Sequence, residues 1–124
     1  MTLAEMSGWS VLVVDDEPGM LETLEDILDA AGYTVTAVSD GDTALAEIRT
    51  GRYDVVVMDV RMPGRDGVSV LVDSGAPPPP VILMTAYALE ERLHEAREQK
   101  VHAVVMKPFA APYLLDLVAS AVAA

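Results

Sequence analysis

A chain of 124 residues, 52% of them apolar, is long enough to bury one hydrophobic core and too apolar for disorder. It contains no cysteine, which excludes disulfides, thiolate metal sites and cysteine catalysis, and its net charge of −12 opposes direct contact with nucleic acid phosphates. The opening "MTLAEMSGWS" lacks the basic and apolar regions of a signal peptide, and no apolar run approaches the roughly 18 residues of a membrane span, so a cytoplasmic protein is expected.

Five short apolar runs alternate with helical patterns. Val11 to Val14 reads as a buried strand, closed by "DDEPG". Leu21, Leu24, Ile27 and Leu28 then recur at helical spacing up to Gly32 as a stop. Tyr33 to Val38 reads as a second strand, and Ala44, Leu45 and Ile48 mark a short second helix ending near Gly51. Val55 to Met58 is continuous and apolar, as expected of a strand covered by helices on both faces.

The loop "DVRMPGRDG" follows, then Val68 to Ser74, the weakest helix in the pattern because three of its residues are β-branched valines. Pro77 to Pro80 must be extended and reads as a stiff linker into a strand at Val81 to Thr85. Leu89, Leu93 and Ala96 mark a charged fourth helix. Ala103 to Met106 is the fifth strand, and Pro112 sits where the first turn of a last helix tolerates proline. Five βα units imply a parallel sheet with helices on both faces, in a single domain spanning 1–124 with 1–9 as a lead-in and no output domain.

Open parallel sheets place their sites beyond the carboxyl ends of the strands. Those ends carry Asp15 and Asp16 after the first strand, Asp59 after the third, Thr85 at the fourth and Lys107 after the fifth. Each has a plainer reading alone: Asp16 before Glu17-Pro18 as a helix cap, Thr85 as a strand residue, Lys107 as a surface charge. Together they converge on one edge. Three gathered carboxylates raise one another's pKa unless a cation intervenes, which fits Mg²⁺ or Mn²⁺ with oxygen ligands. Thr85 and the donor-only Lys107 then make sense as partners of an arriving phosphoryl group.

The blocks "VLVVDDEPGM", "YDVVVMDVRMPGRDG", "VILMTAY" and "VVMKPF" resemble the signature blocks of the response-regulator receiver domain of two-component signalling. The resemblance spans essentially the whole chain and implies a flavodoxin-like fold with strand order 2-1-3-4-5. It implies Asp59 as phosphoacceptor from a kinase phosphohistidine, and Mg²⁺ held by Asp16, by Asp15 through water, by Asp59 and by the Arg61 carbonyl. Lys107 and Thr85 would each meet a phosphoryl oxygen, and the Lys107–Pro108 bond would be cis. Arg61 and Tyr87 occupy positions that tune phosphate loss, Tyr87 overhanging Asp59 to slow attack by water. The implied partners are a sensor histidine kinase or phosphotransfer protein, and a downstream protein or fused output domain. The face of the fourth helix, fifth strand and fifth helix would report outward and support a homodimer.

Three features depart from the family pattern. Val104 stands where an aromatic switch residue is usual, the stretch from Asp59 to Thr85 is short by about a helical turn, and "KVHAVV" replaces a frequent Gly-Ala pair. Val104 keeps open a phosphorylation-independent interaction module. A haloacid-dehalogenase-type phosphatase would need a carboxylate where Arg61 stands, and dinucleotide binding would need a glycine-rich first turn in place of "DDEPG". His94 and His102 read as surface residues.

Overall fold

The computed structural model describes residues 8–75, 79–87, 91–99 and 101–123. Five parallel strands, β1 (Ser10–Val14), β2 (Thr34–Val38), β3 (Val55–Asp59), β4 (Val81–Thr85) and β5 (Ala103–Met106), form one sheet in the order β2-β1-β3-β4-β5. Five helices connect or follow them: α1 (Pro18–Ala30), α2 (Gly41–Ile48), α3 (Gly67–Asp73), α4 (Leu93–Glu98) and α5 (Ala111–Ala123). The expected order 2-1-3-4-5 is observed. The second strand starts one residue later than the apolar run suggested, because the Tyr33 N–H still closes the end of α1 on the Leu28 carbonyl. Leu89, read as part of the fourth helix, lies outside the described residues, as do Pro77, Pro78 and Lys100.

Alternation along the strands divides the core. Leu12, Val14, Val56, Met58, Val81 and Leu83 face α2, α3 and α4, where they meet Leu45, Ile48, Val68, Leu71 and Leu93. Val11, Val13, Val55, Val57, Ile82 and Met84 face α1 and α5, where they meet Leu24, Leu28, Leu114 and Val118. Because both faces are covered, β3 and β4 are buried at every residue. The chain leaves β1 outward to β2 and then returns past it to β3. That reversal opens a crevice beyond the carboxyl ends of β1 and β3.

The valine-rich third helix forms, and its surroundings explain how. Asp66 caps it by accepting the Ser69 N–H at 2.8 Å. The Arg92 guanidinium, ahead of α4, binds the other Asp66 oxygen at 2.7 Å and also Glu95 at 2.9 Å. Arg65 joins Asp42 of α2 at 2.7 Å to Asp73 at the end of α3. Gly67 rests directly against the Asp59 carbonyl, and its N–H donates to the Val60 carbonyl at 2.9 Å. A Cβ at Gly67 would collide with that backbone, just where β3 ends.

This contact sets a stability contrast between two glycines. Gly67→Ala should destabilise by about 1–3 kcal/mol through overpacking. Gly19→Ala in α1, where a Cβ meets nothing within 4 Å, should be neutral or stabilise by up to about 1 kcal/mol. Urea midpoints at constant m-value measure both; equal midpoints would remove the backbone contact as a constraint on Asp59.

Candidate functional site

Strand register brings the predicted residues together. Val14 is level with Met58, Asp59 with Met84, and Thr85 with Met106. One step further along each strand, the chain reaches Asp15, Asp59, Thr85 and Lys107 around the crevice. The Val60 N–H on the Met84 carbonyl at 2.9 Å and the Lys107 N–H on the Thr85 carbonyl at 2.8 Å continue the sheet into the site.

Asp15 is fully buried and doubly held. One oxygen accepts the Glu17 N–H at 2.9 Å, and the other accepts the Lys107 ammonium at 2.8 Å. Asp16 is exposed and is not a helix cap: Glu17 holds that position without a side-chain cap bond, and Pro18 opens α1. Oxygens from Asp15, Asp16 and Asp59 all lie within 4.8 Å of one another. This spacing suits hard-cation coordination by carboxylates.

Asp59 is buried, and Lys107 Nζ stands 3.5 Å from its Oδ1. Burial pushes the Asp59 carboxyl from 3.8 to about 6; the Lys107 charge opposes this, and Asp15 and Asp16 add to it. For Lys107, burial works against the ammonium, but the Asp15 hydrogen bond and the Asp59 and Asp15 charges outweigh it, and the pKa is raised. The single ammonium is therefore committed first to Asp15. Asp59 remains undercompensated.

Thr85 is buried at the end of β4. Its hydroxyl accepts the Tyr87 N–H at 3.0 Å and donates to the Tyr87 carbonyl at 3.3 Å. A cleft of about 210 Å³ is lined by Glu17, Asp59, Arg61, Thr85, Ala86, Tyr87 and Lys107. On its wall the Arg61 guanidinium carbon lies 4.4 Å from the centroid of the Tyr87 ring, while Tyr87 itself remains 54% exposed. The Lys107–Pro108 bond is cis. Val104 is half-buried against the core on the α2–α4 side, and Phe109 is half-buried against the opposite core.

His94 is exposed and pairs with Glu98 at 2.9 Å; His102 is exposed and meets Ser120 Oγ at 2.8 Å. Sequence reasoning named Arg61 and Tyr87 separately and missed that they touch. It also missed Glu17 on the cleft wall and a neighbouring hollow of about 450 Å³, lined by Val60 to Pro63, Asp66, Glu91 and Arg92. Only the "DDEP" spacing carried a signal for Glu17. The Arg61–Tyr87 contact and the two sides of the hollow join residues at least 25 apart.

The family model of the response regulator receiver domain matches residues 11–119. The response regulator protein FleR of Pseudomonas aeruginosa is 40% identical over 111 residues, covering 88% of this chain but 24% of FleR. The chemotaxis protein CheY of the same organism is 35% identical, covering 86% of this chain and 90% of CheY. The crystal structure of the receiver domain of the sensor histidine kinase PA1611, also from P. aeruginosa, superposes with a TM-score of 0.84 at 29% identity, covering 95% of this chain and all of that one; it carries a magnesium ion in its active-site cleft. With a family match running from the start of β1 into α5, over the whole sheet and the crevice, the chain belongs to the response-regulator receiver-domain family.

Proposed function

We propose that residues 1–124 act as a single receiver domain whose Asp59 accepts a phosphoryl group from the phosphohistidine of a sensor histidine kinase or phosphotransfer protein. The observation that carries this reading is the position of Asp59: a buried, undercompensated carboxylate between two other carboxylates, a buried hydroxyl and one ammonium. An Asp59 oxygen attacks phosphorus, the phosphorus–nitrogen bond breaks, and the imidazole leaves with the electron pair, forming an acyl phosphate. Lys107 supplies charge to one phosphoryl oxygen and the Thr85 O–H is donated to another.

Asp15, Asp16, Asp59 and the Arg61 carbonyl would hold Mg²⁺ or Mn²⁺, and the mutual distance of the three carboxylates fits such an ion. The bound ion would neutralise the carboxylates and the phosphoryl oxygens. The product is a signalling state, passed on through α4, β5 and α5 to a downstream protein or fused output domain. In support, β5 is an edge strand, and Met106 and Tyr113 expose apolar surface on β5 and α5. That face would also serve a homodimer. The net charge of −12 argues against direct nucleic acid contact by this domain. Among the described residues no helix is long and apolar enough to cross a membrane, which is compatible with a cytoplasmic role.

Acetyl phosphate with Mg²⁺ should add one phosphoryl group by intact mass, lost in Asp59→Ala and on chelation. A wild-type protein that stays unmodified, yet still binds a regulatory partner, would instead be an interaction module independent of phosphate. In phosphorylated protein, Tyr87→Ala should shorten the phosphate half-life; an unchanged or longer half-life removes Tyr87 as a shield of Asp59.

The raised pKa of Asp59 gives a pH signature with a defined sign. Its folded value of about 6 exceeds the unfolded 3.8, so between them the folded state holds the extra proton. Stability from this group is greatest below about pH 4 and is lost as pH rises through 6, by on the order of 3 kcal/mol. In metal-free buffer, Asp59→Asn should be more stable than wild type at pH 7, and the gap should close towards pH 4. Mg²⁺ should raise the wild-type Tm at pH 7 more than the Asn variant's. Parallel stability curves would show that Asp59 is not held at this cost.

A further inference from the structure

The segment that follows Asp59 reaches α4 through a short series of contacts. Gly67 lies against the Asp59 carbonyl and donates its N–H to the Val60 carbonyl at 2.9 Å, so backbone alone fastens the start of α3 to the end of β3. Next to it, Asp66 divides its carboxylate between two helices. One oxygen caps α3 on the Ser69 N–H at 2.8 Å, and the other accepts Nη1 of Arg92 at 2.7 Å. The same Nη1 lies 3.2 Å from the Ser69 hydroxyl. The other edge of the guanidinium, Nε at 3.0 Å and Nη2 at 2.9 Å, meets the Glu95 carboxylate in the first turn of α4.

Two properties suit this series to carrying movement. The guanidinium is planar and its donors form a fixed fork, so a shift of Asp66 is passed to Glu95 with its direction kept. Beside the pair lies the hollow of about 450 Å³, lined by Val60 to Pro63, Asp66, Glu91 and Arg92. Along it the loop after β3 and the start of α4 are separated by open space, and the ion pair ties them where packing does not. At six residues, α4 is too short to hold its place in water unaided. Leu93 and Ala96 seat it on the core, and Arg92 sets the position of its first turn.

We propose that Arg92 is a positioning residue that couples the phosphoacceptor strand to α4: a change at Asp59 moves Gly67 and Asp66, and the Asp66–Arg92 pair transfers that movement to the first turn of α4. This deepens the proposed function and rests on Asp59 being the phosphoacceptor. The route runs along the β3 side of the site and makes no use of Val104, a short branched side chain packed on the core.

Amide resonances of ¹⁵N-labelled protein read both ends of the series. Beryllofluoride with Mg²⁺ should shift the Asp59, Val60 and Gly67 amides, and those of Ala96, Arg97 and Glu98 in α4. Asp66→Asn keeps an oxygen to cap α3 but loses the charge that holds Arg92, and Arg92→Gln removes the fork from the other end. In each variant the Asp59, Val60 and Gly67 shifts should persist, while the α4 shifts fall to about half or less. The double variant should fall no further, which separates the pair from any other contact of either residue. Arg65→Gln, which unties α3 from Asp42 of α2, should leave the α4 response at the wild-type level.

An α4 response that stays at the wild-type level in Asp66→Asn or Arg92→Gln, or is missing from wild type itself, overturns the coupling while the phosphoacceptor reading stands. Effects that add in the double variant, an equal loss in Arg65→Gln, or loss of the Asp59 shifts together with those of α4 overturn it as well. If the wild-type Asp59 and Val60 amides are silent, the phosphoacceptor reading fails and the proposal falls with it.

Discussion

Everything about this molecule turns on gathering three carboxylates, two of them buried, around one ammonium. The sheet makes the arrangement unavoidable: with β1 beside β3 and β4 between β3 and β5, the residues that follow the apolar runs arrive at the same level. In the interior, where charge interactions are strong, the partner each acid finds decides its state. Asp15 and Asp59 emerge side by side and are both buried, yet they differ in kind. Asp15 has a backbone N–H and the closer ammonium contact, 2.8 Å against 3.5 Å. The first is held in place by both donors. The second carries the unrelieved burial cost that lifts its pKa to about 6.

That imbalance needs a rigid frame, since a mobile Asp59 would move into solvent and lose it. The frame comes from the segment right after β3. Gly67 packs on the Asp59 carbonyl, and α3, which begins there, is only seven residues long with three valines. A helix of that length and composition has no standing of its own in water. It is held by burial of Val68, Val70 and Leu71, by the Asp66 cap, and by Arg65 and Arg92 reaching from both sides. Exposed ion pairs of this sort contribute up to about 1 kcal/mol each, so their main effect is to fix direction; the apolar side chains supply most of the stability.

Much of this was legible in the sequence because it is local or periodic. Val11–Val14, Val55–Met58, Val81–Thr85 and Ala103–Met106 each announced a strand, and the polar residue ending or following each run announced the site. Asp16 shows the limit of local reading: "DEP" suits a helix cap, but the cap position falls to Glu17 and Asp16 points its charge into solvent near the other acids. Lys107 shows another. Its place in the site followed from β5, whereas its closest partner, Asp15, lies 92 residues away and depends on strand register. The Arg65–Asp42 and Arg92–Asp66 ties and the Arg61–Tyr87 stack span 23 to 26 residues and leave no periodic trace. Flexible cationic side chains choose among many acids, and only the folded geometry selects one.

The hydroxyl completes the logic of the resting site. A buried polar atom without a partner is expensive, so a site awaiting a ligand risks destabilising its own fold. Thr85 avoids this by closing on Tyr87, and Asp15 by closing on Lys107 and Glu17. Among the described residues, the buried side-chain polar atom left without a hydrogen bond is the Tyr33 hydroxyl, which precedes β2 and so belongs to the opposite, amino end of the sheet. Hydrogen bonding at the crevice is therefore already satisfied by exchangeable partners. What stays unsatisfied is charge, and it is concentrated on Asp59. A fold arranged this way is stable at rest, and under the proposed function that one carboxylate is where a cation or a phosphoryl group would relieve the charge.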